Sequence, residues 1–155
     1  NRPVLVHYRD FVNYLEFDNK ITFIKDIGSN ATKYLPNLKY LLVLRGDTVT
    51  RLAFYQCFAY NIVPIIFEAE KEVYGNLLCP GINILNSCLI LPNIDDKLPQ
   101  DYAIIAKKII EKELSDENNY FEKIKNHKEI FNNFNWFKEP LSKPVENIIN
   151  YISNN

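Results

Sequence analysis

Residues 40–68 read YLLVLRGDTVTRLAFYQCFAYNIVPIIFE, and their pattern decides the fold class. An apolar run over 41–44 stops at Arg45-Gly46-Asp47-Thr48. A helical pattern begins near Thr50-Arg51, and a second apolar run occupies 63–67. The order is strand, polar Gly-containing turn, helix, strand, which is the repeating unit of a parallel sheet. In such a unit the turn lies at the carboxyl end of the strand and faces the helix N-terminus, where open α/β sheets bind their ligands. Backbone N–H groups at that terminus favour an anion. Arg51 adds a fixed positive charge with a forked donor set suited to phosphate. The segment predicts a site for a phosphorylated ligand.

The flanking sequence extends the same alternation. Residues 4–8 (VLVHY) form a short β-rich run, and Asp10 can cap a short helix carrying Phe11, Tyr14 and Leu15. Residues 21–24 (ITFI) read as a second strand, closed by the turn residues 26–30. A short helix or turn broken at Pro36 precedes the strand at 41–44. Asn61 ends the following helix, since Asn tolerates the left-handed cap position, and Pro64 falls near the start of its strand, where a missing donor does least harm. Residues 68–86 are mixed and turn-rich, and 88–91 form a last short strand closed by Pro92-Asn93. From Asp101 onward the pattern is helical. Tyr102, Ile105, Ile109 and Ile110 share one face, and 114–116 break the pattern with a new cap. A second helix is predicted from Glu117 to about Asn133, and a third after Pro140 and Pro144.

The reading is one α/β domain over 1–155, with a Rossmann-like parallel sheet flanked by helices. It divides into a strand–helix core over 1–95 and a helical C-terminal tail over 96–155. Its 155 residues suffice for one domain with a normal core, and 47% hydrophobic with 24% charged content is ordinary for a globular protein. A net charge of -1 argues against broad electrostatic capture of nucleic acid. No apolar run approaches the ~20 residues that cross a bilayer. The absence of Met suggests a piece of a longer protein. Cys57, Cys79 and Cys88 are too few and too unevenly spaced for a disulfide framework or a zinc site, so buried free thiols are expected.

The central stretch resembles the signature of the exostosin-type glycosyltransferases, family 47. In the plant-like branch this runs roughly C-L-x-x-x-G-D-(S/T)-x-(S/T)-R-R-x-x-(F/Y)-(E/D)-(A/S)-x-x-x-G-C-(I/V)-P-V. Gly46, Asp47, Thr48, Thr50, Arg51, Tyr55, Val63, Pro64 and Ile65 match or nearly match it without a gap. Residues 2–9 (RPVLVHYR) are loosely similar to the strand that opens the family's nucleotide-binding half, and 34–40 (YLPNLKY) to the segment before the signature. The resemblance covers 1 to about 95. Leu52 stands where the family has a second arginine, Gln56 where it has an acid, and Asn61-Ile62 where it has Gly-Cys.

The resemblance implies the carboxyl-terminal, nucleotide-sugar-binding half of a GT-B enzyme, in which two Rossmann-like halves flank a cleft. Members take a sugar from a donor, usually a UDP-sugar, and pass it to a growing glycan without a bound metal, so no cofactor is expected. Arg51 and the helix N-terminus would neutralise the leaving diphosphate instead. The acceptor, a glycan or glycoprotein, would sit on an N-terminal half outside this chain, together with any catalytic base. Eukaryotic relatives sit in the Golgi lumen; a cytoplasmic location is the alternative. The oligomeric state stays open.

Each candidate residue has a plain alternative. Arg51 clamps diphosphate or is a solvated helix-start arginine, a placement the helix dipole disfavours. Arg45 reaches phosphate or pairs with Asp47. Gly46 lets the backbone pass close under a ligand or makes a simple tight turn. Asp47 shapes the loop, and Thr48 and Thr50 cap the helix or donate to phosphate. Glu68, at the end of its strand, accepts from ribose or sugar hydroxyls or is a solvated loop acid, with Glu70 in reserve. His7 and Arg9 end the first strand and would face the same edge. Tyr74 is expected to pack on the core and His127 to be solvated. Two competing readings remain: a catalytically inactive glycosyltransferase-like module that binds or scaffolds, and an unrelated α/β nucleotide-binding domain.

Overall fold

The computed structural model describes residues 10–18, 20–24, 31–44, 52–77 and 79–134. Its centre is a parallel sheet of three strands in the order β1-β2-β3, with β1 at Tyr40–Leu42, β2 at Val63–Phe67 and β3 at Leu89–Leu91. The helices are α1 (Ala31–Tyr34), α2 (Leu52–Ala59), α3 (Lys71–Gly75), α4 (Pro99–Leu114), α5 (Glu117–Ile124) and α6 (His127–Phe134). Short 3-10 turns stand at Phe11–Tyr14, Leu35–Asn37, Glu68–Glu70 and Ile84–Ser87. The arrangement is α/β and consistent with a Rossmann-like fold.

β2 is buried at all five residues, because helices cover both faces of the sheet. Alternate residues therefore enter different cores. Val63, Ile65 and Phe67 join Leu89, Leu91 and the α4 residues Tyr102, Ala103, Ala106 and Ile110, together with Phe11 and Leu15. On the opposite face Ile62 and Ile66 meet Phe54, Cys57 and Phe58 of α2, Tyr74 of α3, and Ile130 of α6. The segments linking β1 to β2 and β2 to β3 thus contribute to the same face. Strands laid down in sequential order by crossovers of one hand require that placement.

Pro64 lies in the central strand, and its tolerance follows from register. Val63 donates to Lys39 O at 2.8 Å and Ile65 O accepts from Val43 N at 2.9 Å, so these residues point their main-chain groups at β1. By alternation Pro64 turns its missing N–H toward β3. The β3 ladder begins only at the next residue, with Ile65 opposite Leu89. No ladder bond is lost.

Two expectations need correction. Residues 21–24 form no strand, since no described strand lies beside them to share a ladder. The single helix expected from Glu117 to Asn133 is two, parted at Lys125-Asn126. The helix start near Thr50-Arg51, the run at 4–8 and the third tail helix lie outside the described residues. Asn61 adopts φ 54°, the left-handed cap anticipated from its identity. No helix among the described residues is long and apolar enough to cross a membrane.

Candidate functional site at the carboxyl edge of the sheet

The two ends of the sheet differ in what covers them. At the amino end α5 folds across the strand starts. Tyr120 donates to Asn61 O at 2.9 Å, Lys39 pairs with Glu117 at 2.7 Å, and the Tyr120 ring lies 6.0 Å from Tyr40. Burial, followed by the neighbouring Glu113 carboxylate, pushes the Tyr40 phenol well above its ordinary range. This end is closed by packing.

At the carboxyl end β2 runs into the turn Glu68–Glu70, and β3 into Pro92-Asn93. Side chains reaching back onto the main chain fix these exits. Phe67 N donates to Glu70 Oε2 at 3.0 Å, Ala69 N donates to Asn93 Oδ1 at 2.8 Å, and the Tyr102 hydroxyl donates to Pro92 O. A rigid ledge results beside the end of β1. The segment 45–51 joins the end of β1 to the start of α2, the position that parallel-sheet topology assigns to a ligand-binding turn.

Of the candidate residues, the structure describes two. Glu68 stands at the ledge with its carboxylate exposed, paired with Lys71 at 2.9 Å. Glu70 is buried, 4% exposed, and its carboxylate is committed to the turn. Two residues apart in sequence, one acid faces solvent and the other stabilises the backbone. Glu70 thus holds the shape of the ledge, while Glu68 lies on its surface beside Lys71. Arg45, Gly46, Asp47, Thr48, Thr50, Arg51, His7 and Arg9 lie outside the described residues.

Charge at this edge follows the same division. The lysines described there are taken: Lys71 by Glu68, and Lys97 by Asp95 at 3.9 Å. Asn93, which ties the β3 exit to the β2 exit, was missed as a positioning residue. Its signal was the Pro-Asn pair immediately after a strand.

Residues outside the edge resolve several readings. Tyr74 is 1% exposed and stacked on Phe54 at 3.8 Å, so it packs in the core as expected. Cys57, Cys79 and Cys88 are buried free thiols. Burial raises all three, Cys88 to about 12, so none is a poised nucleophile. His127 is not solvated, as its Lys/Asn/Glu-rich surroundings suggested, but fully buried. Among the described residues no group of acids, cysteines and histidines could hold a metal ion.

Comparison with known families, with curated proteins and with solved structures returns no match.

Proposed function

We propose that this chain is the donor-binding α/β unit of an exostosin-like glycosyltransferase, one half of a GT-B architecture. It takes a UDP-sugar at the carboxyl edge of the sheet. The sugar passes to a glycan or glycoprotein acceptor with inversion, using a base from the N-terminal half. One observation carries the reading. The signature residues 45–51 fall in sequence between a strand and a helix that, with β2, make a parallel β–α–β unit. A motif of this kind needs a strand before it and a helix after it, and the flanking elements supply both.

In this reading Arg51, the residue before α2 in sequence, clamps the diphosphate and stabilises the charge that develops as UDP leaves. Arg45 supplies a second cation, Thr48 and Thr50 donate to phosphate oxygens, and Glu68 accepts from ribose or sugar hydroxyls. His7, Arg9 and Glu70 are secondary candidates.

The inactive-module reading draws on α2 itself. Leu52, where the family has its second arginine, is 68% exposed at the helix start. A solvent-facing leucine in that place offers nothing to an anion. Gln56 likewise replaces the family's acid.

Calorimetric titration with UDP and UDP-sugars tests the proposal. Binding is expected, and Arg51→Ala is expected to weaken it by roughly 1.5–3 kcal/mol, the range for hydrogen bonds to charged groups. A folded sample that ignores millimolar UDP would sink the proposal. Binding without turnover, even with the acceptor half supplied, would favour the inactive module. An Arg51→Ala variant that binds UDP as tightly as the parent would move the site away from this turn.

A further inference from the structure

α6 is a short helix held by one face. Its eight residues are too few to persist alone in water, so packing has to hold them. The face that packs carries His127, Ile130 and Phe134 at i, i+3 and i+7. Ile130 is fully buried in the core beside α2, the Phe134 ring lies 5.6 Å from Tyr55, and the His127 ring lies 5.0 Å from Phe58. The first turn of that face is thus anchored by an imidazole rather than by an apolar side chain.

That imidazole sits where only its neutral form is tolerated. It is fully buried, and neither ring nitrogen has a hydrogen-bond partner of normal geometry. A charge there would lose its water and gain no acceptor in return. It would also stand on the first residue of a helix, where the macrodipole is positive and a cation is disfavoured.

Titratable groups on the surrounding elements offset neither cost. α2 brings Tyr55 and Cys57, and the segment before β3 brings Cys79 and Cys88; burial keeps all four neutral. α5 brings Glu122, paired with Lys125, and Lys123, paired with Glu113. Lys128 and Glu129 of α6 itself are exposed. None of these charges acts on His127, whose pKa is lowered by burial and restored only in part by the Ser87 main chain.

Two features make the response local. The chain is already broken between α5 and α6 at Lys125-Asn126, so α6 can leave without unwinding α5. The other core, in which α4 covers Val63, Ile65 and Phe67, lies across the sheet and has no histidine among its described residues.

We propose that α6 is an acid-released latch: protonation of His127 frees this helix from α2 about the Lys125-Asn126 break, while the sheet and α4 stay folded. The latch is independent of the nucleotide-sugar reading. Linkage sets its size. His127 takes up a proton near 6.5 when released and near 4 when packed. The released state therefore gains as pH falls from 6.5, and the gain levels off below 4. Between pH 7 and pH 4 it amounts to on the order of 100-fold.

Native-state hydrogen exchange on the full chain tests this, with rates corrected for the intrinsic effect of pH. The Ile130 amide, bonded to Asn126 O at 3.0 Å, reports on α6, and the Val63 amide, bonded to Lys39 O at 2.8 Å, reports on the sheet. Ile130 is expected to exchange faster than Val63 and to ignore low urea, because a local opening exposes little surface. Its protection should fall on the order of 100-fold from pH 7 to pH 4 in the parent and stay level in His127→Leu. Equal protection at Ile130 and Val63 overturns the proposal, since α6 would then open only with the whole fold. So does a pH dependence that survives in His127→Leu, which would assign the release to other groups. If His127→Leu does not fold, the His127 ring titration followed by NMR in the parent decides. A midpoint near 4, shared with the loss of Ile130 protection, supports the latch, and a midpoint near 6.5 overturns it.

Discussion

His127 begins α6 fully buried, with its ring edge-on to Phe58 at 5.0 Å. Neither ring nitrogen makes a hydrogen bond of normal geometry among the described residues. Burial drives its pKa down from 6.5 to about 4, and the nearby Ser87 main chain offsets only part of that. The fold therefore holds the imidazole neutral, while the unfolded chain protonates it near 6.5. The sign follows: stability from this site is complete above 6.5 and is lost as pH falls from there through about 4. The loss is expected to reach roughly 2–3 kcal/mol. Urea unfolding at a series of pH values should show it, and His127→Leu should flatten that slope while leaving stability at neutral pH within about 1 kcal/mol. An unchanged slope in His127→Leu would assign the acid sensitivity to other groups. The burial was legible in spacing, since His127, Ile130, Phe131 and Phe134 fall at i, i+3, i+4 and i+7. Composition hid it, because a helix rich in Lys, Asn and Glu reads as a solvated face.

At the scale of elements, the sequence was most readable where backbone chemistry and apolar pattern agree. The β1–α2–β2 unit has both. Two apolar runs bound it, and Asn61 supplies the left-handed residue that stops α2 before β2 begins. At that φ, Asn61→Gly is expected to be neutral or slightly stabilising. Asn61→Val should cost roughly 1–2 kcal/mol through the clash of its branched side chain. Thermal unfolding of the two variants separates them, and equal melting would mean that the cap relaxes freely. Residues 21–24 were misread for the opposite reason. Their β propensity is real, but a strand exists only with a neighbour, and propensity carries no information about pairing. The division between α5 and α6 also escaped the pattern. Lys125-Asn126 contains neither Gly nor Pro, and the break serves α6, which must turn onto the other face to pack against α2.

Across the whole molecule, the helices after β3 are structural halves of two different cores. α4 places Tyr102, Ala103, Ala106 and Ile110 against one face of the sheet, and α6 places Ile130 against the other. Described as a tail in sequence, this region closes the sheet in space. A chain ending at residue 98 is expected to lose cooperative unfolding by circular dichroism, because the Val63, Ile65 and Phe67 face would be stripped of its α4 cover. A sharp transition in that fragment would show that residues 10–98 hold a core of their own. The ion pairs matter far less. Lys39–Glu117, Lys71–Glu68 and Lys125–Glu122 all have exposed side chains, so ionic strength should move the midpoint little. The sheet order was foreseeable as parallel from the alternation of runs. The edge that holds the candidate site was foreseeable from topology, and the Asn93 and Glu70 ties were not, because they join residues through space that no local pattern connects.

Pro64 has a last consequence, for how the sheet is tied together. β2 pairs with β1 through Val63, Pro64 and Ile65, and with β3 through Ile65, Ile66 and Phe67. Its amino half is thus held from one side and its carboxyl half from the other, with Ile65 common to both ladders. The residue that joins the two halves of the sheet is therefore Ile65, one position beyond the proline.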